Sequence, residues 1–406
     1  MAIIKPFRAL RPHKEFAAQV ASRPYDVLNT EEARKEAEGN LLSFLHITKS
    51  EIDLPAGTDV HSPQVYEKAK ENLQHFVERK ILFQEEKPCY YIYELAWQGR
   101  TQTGLVCTSS VQDYFDDVIK KHEFTRPEKE KDRIDHMRTI SAQTGNVFLA
   151  CKDNKDLQDL LNHWKDDFNA EYTFTAADGV THSVWVVDAP ATIDSITHLF
   201  QEQIPFTYIA DGHHRAASAA KVSQEMPGNE NAAFFLTTIF PANQLAIMDY
   251  NRVVADLNGM TGEEFLQKLN EDFTVEKTSG AVKPAELHRF GMYLDGSWYS
   301  LQAKDGSYAT DATGVLDVTI LTNNILDKIL GIKDQRTDKR IDFVGGIRGL
   351  GELEKRVNSG EMKVAFSLHP VSMQQLFDIA DSGAVMPPKS TWFEPKLRDG
   401  LLTHAF

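Results

Sequence analysis

The chain has 406 residues, 42% of them hydrophobic and 25% charged, and its 44 basic and 59 acidic residues give a formal net charge of −15. That length is enough for more than one core, because a single core stops growing at about 250–300 residues. The acidic balance excludes nucleic acid or an anionic membrane surface as the main partner, since both demand a basic footprint.

The opening stretch "MAIIKPFRALRPHKEF" has only a brief apolar run before Lys5, so no signal peptide is expected. No apolar run approaches the roughly 18 residues that a membrane-spanning helix needs. Residues 31–40, "EEARKEAEGN", read as a helix stopped by Gly39 or Asn40. A long amphipathic helix is predicted from Pro63, with Val65, Ala69, Leu73, Phe76 and Val77 on one face. Two strands follow around a Gln98-Gly99 turn, and then "TRPEKEKDRIDHMRTI" opens a helix with Thr125 as N-cap, Pro127 early and Glu128 as the capping acid. A hairpin is expected at Asp178-Gly179, strands in "NAAFFLTTIFP" and "LAIMDYNRVV", a helix in "TGEEFLQKLNEDF" and a last hairpin at Asp295-Gly296. Cys89, Cys107 and Cys151 are isolated, without CxxC spacing, which fits a reduced cytoplasm and gives neither a disulfide framework nor a zinc site.

Helices and strands mix without strict alternation, so the expected class is α+β. The best single cut falls where a strand gives way to a glycine turn, leaving residues 1–258 and 259–406.

One stretch stands apart. "YIADGHHRAASAA" (residues 208–220) sets Asp211, Gly212, His213, His214 and Arg215 where a strand hands over to a helix. A plain polar turn needs neither two imidazoles nor a guanidinium. Gly212 supplies a positive φ or a close backbone approach, and the helix that follows aims free N–H groups and its positive dipole end at the same point. An anion site is the sharper reading of the pattern.

Four other clusters carry chemistry-bearing residues. In "IKKHEFTRPEKEKDR" the helix body is an ordinary solvated face, whereas Lys120, Lys121, His122 and Arg126 precede a helix N-terminus, a place for phosphate or carboxylate. "RTDKRIDFVGGIRG" holds Arg336, Arg340 and Arg348 beside paired glycines; it suits an oxyanion clamp or surface salt bridging with Asp338 and Asp342. "VMPPKSTWFEPKLRDG" reads as a rigid closing segment with Lys389 as a candidate ligand, and the N-terminal Glu15 and Asp26 read by default as surface carboxylates. No Walker A motif, dinucleotide fingerprint, GxSxG or HExxH occurs.

"ADGHHR" after a strand, with "LRPHKE" near the start, resembles the ParB/sulfiredoxin-like superfamily and, within it, the free L-serine kinases. Through "PYDV", "KKHEFTRP", "RTDKRIDFVGGIRG" and "MPPKSTWFEPKL" nearly the whole chain also resembles a large bacterial family of unknown function whose members are about as long. The kinase resemblance rests on the two short motifs alone. It implies Glu15 as the base on the serine hydroxyl, although Lys14 stands where those kinases often carry a second acid. It further implies that Asp211 is catalytic, that His213, His214 and Arg215 line the donor phosphates, and that the donor is pyrophosphate, ADP or ATP.

The expectation is a ParB/sulfiredoxin-like core in residues 1–258, with an α+β segment inserted at about 50–200, and a C-terminal α+β region feeding the same cleft. Its activity would be phosphoryl transfer to the hydroxyl of free L-serine in the cytoplasm, with no nucleic acid or membrane partner and a homodimer left open. Glu15, Asp211 and His213 are the expected catalytic residues. Gly212, His214, Arg215, Lys121, His122 and Arg126 would hold phosphate, Arg336, Arg340, Arg348 and Lys389 the amino acid, and Asp211 a Mg²⁺ ion. The rival is a ParB-like nucleotide-binding switch, against which the acidic charge and the lack of a helix-turn-helix count. A sulfiredoxin-like reductase would want a cysteine where His213 stands.

Overall fold

The structure is a computed structural model that describes residues 1–406. The chain divides into two units, one formed by residues 1–245 together with 395–406 and the other by residues 246–394. The division thus falls earlier than the cut expected after residue 258, and the last twelve residues return to the first unit. Hydrophobic periodicity reports a strand at residues 250–254 but not which sheet receives it.

Nine strands make the main sheet of the first unit: β1 (Ile4–Lys5), β2 (Tyr90–Trp97), β3 (Arg100–Ser110), β4 (Ile119–Lys120), β5 (Val147–Cys151), β6 (Tyr172–Thr175), β7 (Thr181–Val187), β8 (Thr207–Asp211) and β9 (Phe234–Pro241). Their order is β4-β8-β5-β9-β3-β2-β7-β6, with β1 added along β3. Only β4/β8 and β5/β9 pair in parallel; the other neighbours are antiparallel. Most of β2 and β3 is buried on both faces; β2 reads as a largely apolar run, whereas β3 buries Gln102, Thr103, Thr108, Ser109 and Ser110 along with Leu105, Val106 and Cys107. The hairpin turns fall at the glycines the sequence marks, Gly99 and Gly179, both with positive φ.

Five long helices belong to this unit: α1 (Pro63–Glu78), α2 (Pro127–Ile140), α3 (Lys155–Asp167), α4 (Pro190–Gln203) and α5 (His213–Glu225). Four of the predicted face residues of α1 are buried, but Val77 is 43% exposed, because one more step around the helix carries it past the apolar stripe. The N-cap of α2 is Arg126, not Thr125: Pro127 takes the first helical position and Thr125 donates instead to Glu130. In α5 the run "AASAA" has a packing reason. Ala216, Ala219 and Ala220 lie in the core with Leu149, Ile209 and Ile239 of the sheet, and side chains this small let the helix approach it closely. All three cysteines are free and buried.

The second unit holds a six-stranded, wholly antiparallel sheet of β10 (Tyr250–Val254), β11 (Phe273–Thr278), β12 (Arg289–Leu294), β13 (Ser297–Ala303), β14 (Ile341–Gly345) and β15 (Val364–Leu368), in the order β11-β13-β12-β15-β10-β14. Val253, Tyr293, Trp298, Val344, Leu353 and Ala365 build its core. The architecture is mixed α+β, and no helix is long and apolar enough to cross a membrane.

Candidate functional site

The site begins with an irregularity in β8. Against β5, Tyr208 faces Ala150 and Ile209 faces Leu149, but Asp211 faces Phe148, so the register slips at Ala210. A bulge of this kind bends the strand and re-aims the next side chain, here that of Asp211. Gly212 follows at φ +98° and caps α5, whose first turn is His213, His214 and Arg215. The helix therefore starts inside the motif rather than after it. A Cβ on Gly212 would sit 3.2 Å from the Arg215 guanidinium and 3.5 Å from the Val147 backbone, so glycine serves both the left-handed φ and the passage of the arginine.

Because β4 runs parallel to β8, the chain leaving Lys120 travels beside the head of α5. The backbone N–H of His122 donates to Nε2 of His213 at 3.4 Å, and the two rings meet edge to face at 4.5 Å. Further on, the Arg126 N–H donates to Nε2 of His214 at 3.0 Å. Two imidazoles thus pin the loop of residues 122–126 onto the first turn of α5. Since Nε2 accepts in both rings, the neutral tautomer of each carries its proton on Nδ1.

Burial lowers all three histidines, bringing His122 down to about 4 and His213 well below its ordinary value. They are neutral imidazoles at pH 7, able to donate hydrogen bonds but not to supply charge. His122 is only 2% exposed, and neither of its ring nitrogens has a partner. Gly212 offers no side-chain cap, and Ala216 is the first residue of the turn whose N–H bonds back, to the Gly212 carbonyl. An uncapped helix head beside unpaired imidazole nitrogens is a place for an anion.

Asp211 lies between two cations, with Lys396 Nζ at 2.8 Å and Arg215 Nη2 at 3.7 Å. Burial resists its charge, but Lys396 and then Arg215 outweigh that and hold the carboxylate far below the usual range. Arg215 is buried at 9% exposure, donating to the Asn146 carbonyl and pairing with Asp26 at 3.4 Å. Burial works against its charge too, and Asp26 and Asp211 keep the guanidinium well above its ordinary value. Behind it a cavity of about 20 Å³, lined in part by Tyr25, Arg133, Gly145 and Arg215, has room for a single water. Burial pushes the nearby Asp399 carboxyl up to about 7.

The remaining expected residues divide by what they touch. Lys121 donates to the Tyr114 carbonyl at 2.8 Å and pairs with Asp117 at 3.2 Å, while Lys120 pairs with Asp117 at 2.9 Å. Arg126 is exposed; so is Glu15, on the short turn Lys14–Phe16. Arg336, Arg340, Arg348 and Lys389 belong to the second unit. There Arg336 is held by Asp334 and Arg340 by Asp338 and Asp256, while Lys389, at φ +60°, lies 5.8 Å from the Tyr250 ring. No group of three or more His, Cys, Asp or Glu side chains is placed to hold a metal ion by itself.

Two participants escape sequence reasoning. Asp26, a surface carboxylate by its sequence context, reaches Arg215, 189 positions away. Lys396 stands in the same "PPKSTWFEPKL" stretch as Lys389, and nothing in the spacing says which lysine returns to the first unit.

The chain belongs to the family described as "Protein of unknown function (DUF1015)", whose model matches residues 4–319. No curated protein matches it. Among solved structures it is weakly similar to a free serine kinase in complex with AMP (13% identity, TM-score 0.39, 74% of this chain and 90% of that one). A conserved hypothetical protein from Pyrococcus furiosus gives 14% identity and a TM-score of 0.36 over 74% of this chain and 94% of that one. SbnI with a C-terminal truncation, from Staphylococcus aureus, gives 11% and 0.33 over 73% and 85%. Likeness this loose assigns no role to any residue.

Proposed function

We propose that this protein is a phosphotransferase with a ParB/sulfiredoxin-like core that phosphorylates the hydroxyl of free L-serine, taking the phosphoryl group from pyrophosphate or a nucleotide. The observation that carries the proposal is the uncapped first turn of α5 beside the buried, unpaired His122 ring. Phosphoryl transfer asks for in-line positioning and charge stabilisation more than covalent work, and a helix head with imidazole donors supplies both directions and dipole. In the reaction a bond forms between the serine oxygen and phosphorus as the bond from phosphorus to the leaving phosphate oxygen breaks. The electron pair stays on the leaving phosphate.

The serine proton needs an acceptor. Asp211 is too firmly ionised to be an effective base, since a general base works best with a pKa near the operating pH. Glu15, exposed on its turn, takes that role in the proposal, and Asp211 takes positioning and metal binding. A Mg²⁺ bound at Asp211, with most of its ligands from donor oxygens and water, would neutralise phosphate charge, and a single protein carboxylate is compatible with that mode.

The test is direct. Purified protein is incubated with Mg²⁺, L-serine and each of pyrophosphate, ADP and ATP, and O-phosphoserine is sought by mass spectrometry. Product is expected from at least one donor, and Asp211→Asn should lower kcat by at least about 10²-fold while the KM for serine changes little. No product from any donor would overturn the kinase reading.

A further inference from the structure

We propose that Lys396 is a donor-binding residue, whose ammonium neutralises Asp211 while the donor is absent and turns onto the phosphoryl oxygens when the donor binds. The inference rests on the phosphotransfer reading of the site and names the charge that reading requires. A polyphosphate brings several negative charges to the uncapped head of α5, where Asp211 is flanked by Lys396 Nζ at 2.8 Å and Arg215 Nη2 at 3.7 Å. The helix head contributes only about half a charge. A side-chain cation that can turn onto the donor adds to what the helix head supplies, and few side chains here are placed to do so.

Arg215 is fixed in place: its guanidinium is buried, donates to the Asn146 carbonyl and pairs with Asp26. Lys120 and Lys121 are engaged with Asp117. Lys396 differs in its partner, Asp211 at the head of α5, and is partly accessible there, with 17% side-chain exposure against 30% for Asp211. Its ammonium is a compact charge with three donors on a flexible stem, able to exchange one oxyanion for another.

The backbone around it is fixed. The Pro395 carbonyl accepts from Gln102 Nε2 at 3.3 Å, Leu397 is buried, the Arg398 N–H donates to the Tyr93 hydroxyl at 3.2 Å, and Asp399 bridges to Ser22. A rigid anchor with a swinging tip is the arrangement expected of a residue that must deliver charge to one point.

The experiment uses full-length protein. Pyrophosphate and ADP are titrated separately by calorimetry into the parent, Lys396→Met and Lys396→Arg, and serine phosphorylation is followed in parallel. The parent should bind at least one donor. Lys396→Met should weaken that binding by about tenfold or more, as expected for losing one charge-assisted hydrogen bond, and Lys396→Arg should recover part of it. The KM for serine should stay near the parent value.

A second readout needs no variant: bound donor should slow modification of Lys396 by an amine-reactive reagent in the parent protein, read by mass spectrometry. Donor binding that is equally tight in Lys396→Met, labelling of Lys396 that donor leaves unchanged, or a parent that binds neither donor would each overturn the proposal. Lys396-dependent donor binding without any phosphoserine would leave the donor site standing and remove the kinase.

Discussion

Replacing Gly212 with alanine separates two demands on one residue. At φ +98° an L-residue pays about 1–2 kcal/mol for the left-handed conformation alone. The new Cβ would also sit 3.2 Å from the Arg215 guanidinium, tighter than ordinary contact, and Arg215 cannot yield without loosening its bond to the Asn146 carbonyl and its pairing with Asp26. Losing one hydrogen bond from a buried charged donor costs about 1.5–3 kcal/mol, so the total is about 3–5 kcal/mol. Gly228 is the internal control: it lies in the same unit at φ +88°, and a Cβ there would meet nothing within 4 Å, so Gly228→Ala should cost only the conformational part. At about 2–4 °C per kcal/mol for a unit of this size, Gly212→Ala should melt at least about 3 °C below Gly228→Ala in differential scanning calorimetry. Equal melting temperatures for the two variants would refute the idea that the glycine makes room for Arg215.

Acid should destabilise the protein well above the carboxylate range. Burial lowers His122 and His136 to about 4 and His182 to about 3, so between pH 6.5 and those values the unfolded chain binds protons that the native state refuses, and stability falls as pH falls. Each contributes at most about 2 kcal/mol between pH 6.5 and pH 5; denaturant midpoints that do not change between pH 7.5 and pH 5 would contradict this. Truncation after Glu394 should unfold the first unit, because it removes Leu397, Leu401 and Leu402, all buried and each contributing about 1.5–3 kcal/mol to a domain that is stable by only about 5–15. Retained native-like amide exchange protection in β2 and β3 of the truncated protein would show the segment to be dispensable.

Local structure is largely legible in the chain. Spacing of 3.6 locates α1, the glycine turns at Gly99, Gly179 and Gly296 locate three hairpins, and the acid-glycine-histidine run marks the head of α5, because each of these signals is written in neighbouring residues and acts on their own backbone. What joins distant segments is not legible. The parallel pairing of β4 with β8 sets His122 against His213, the bulge at Ala210 re-aims Asp211, and the return of residues 395–406 brings Lys396 to Asp211, 185 positions earlier. Such pairings are decided by strand order and by which surfaces must be buried together, a property of the whole sheet, so the sequence reading names Lys389, and the lysine that reaches Asp211, Lys396, is assigned only when the chain closes.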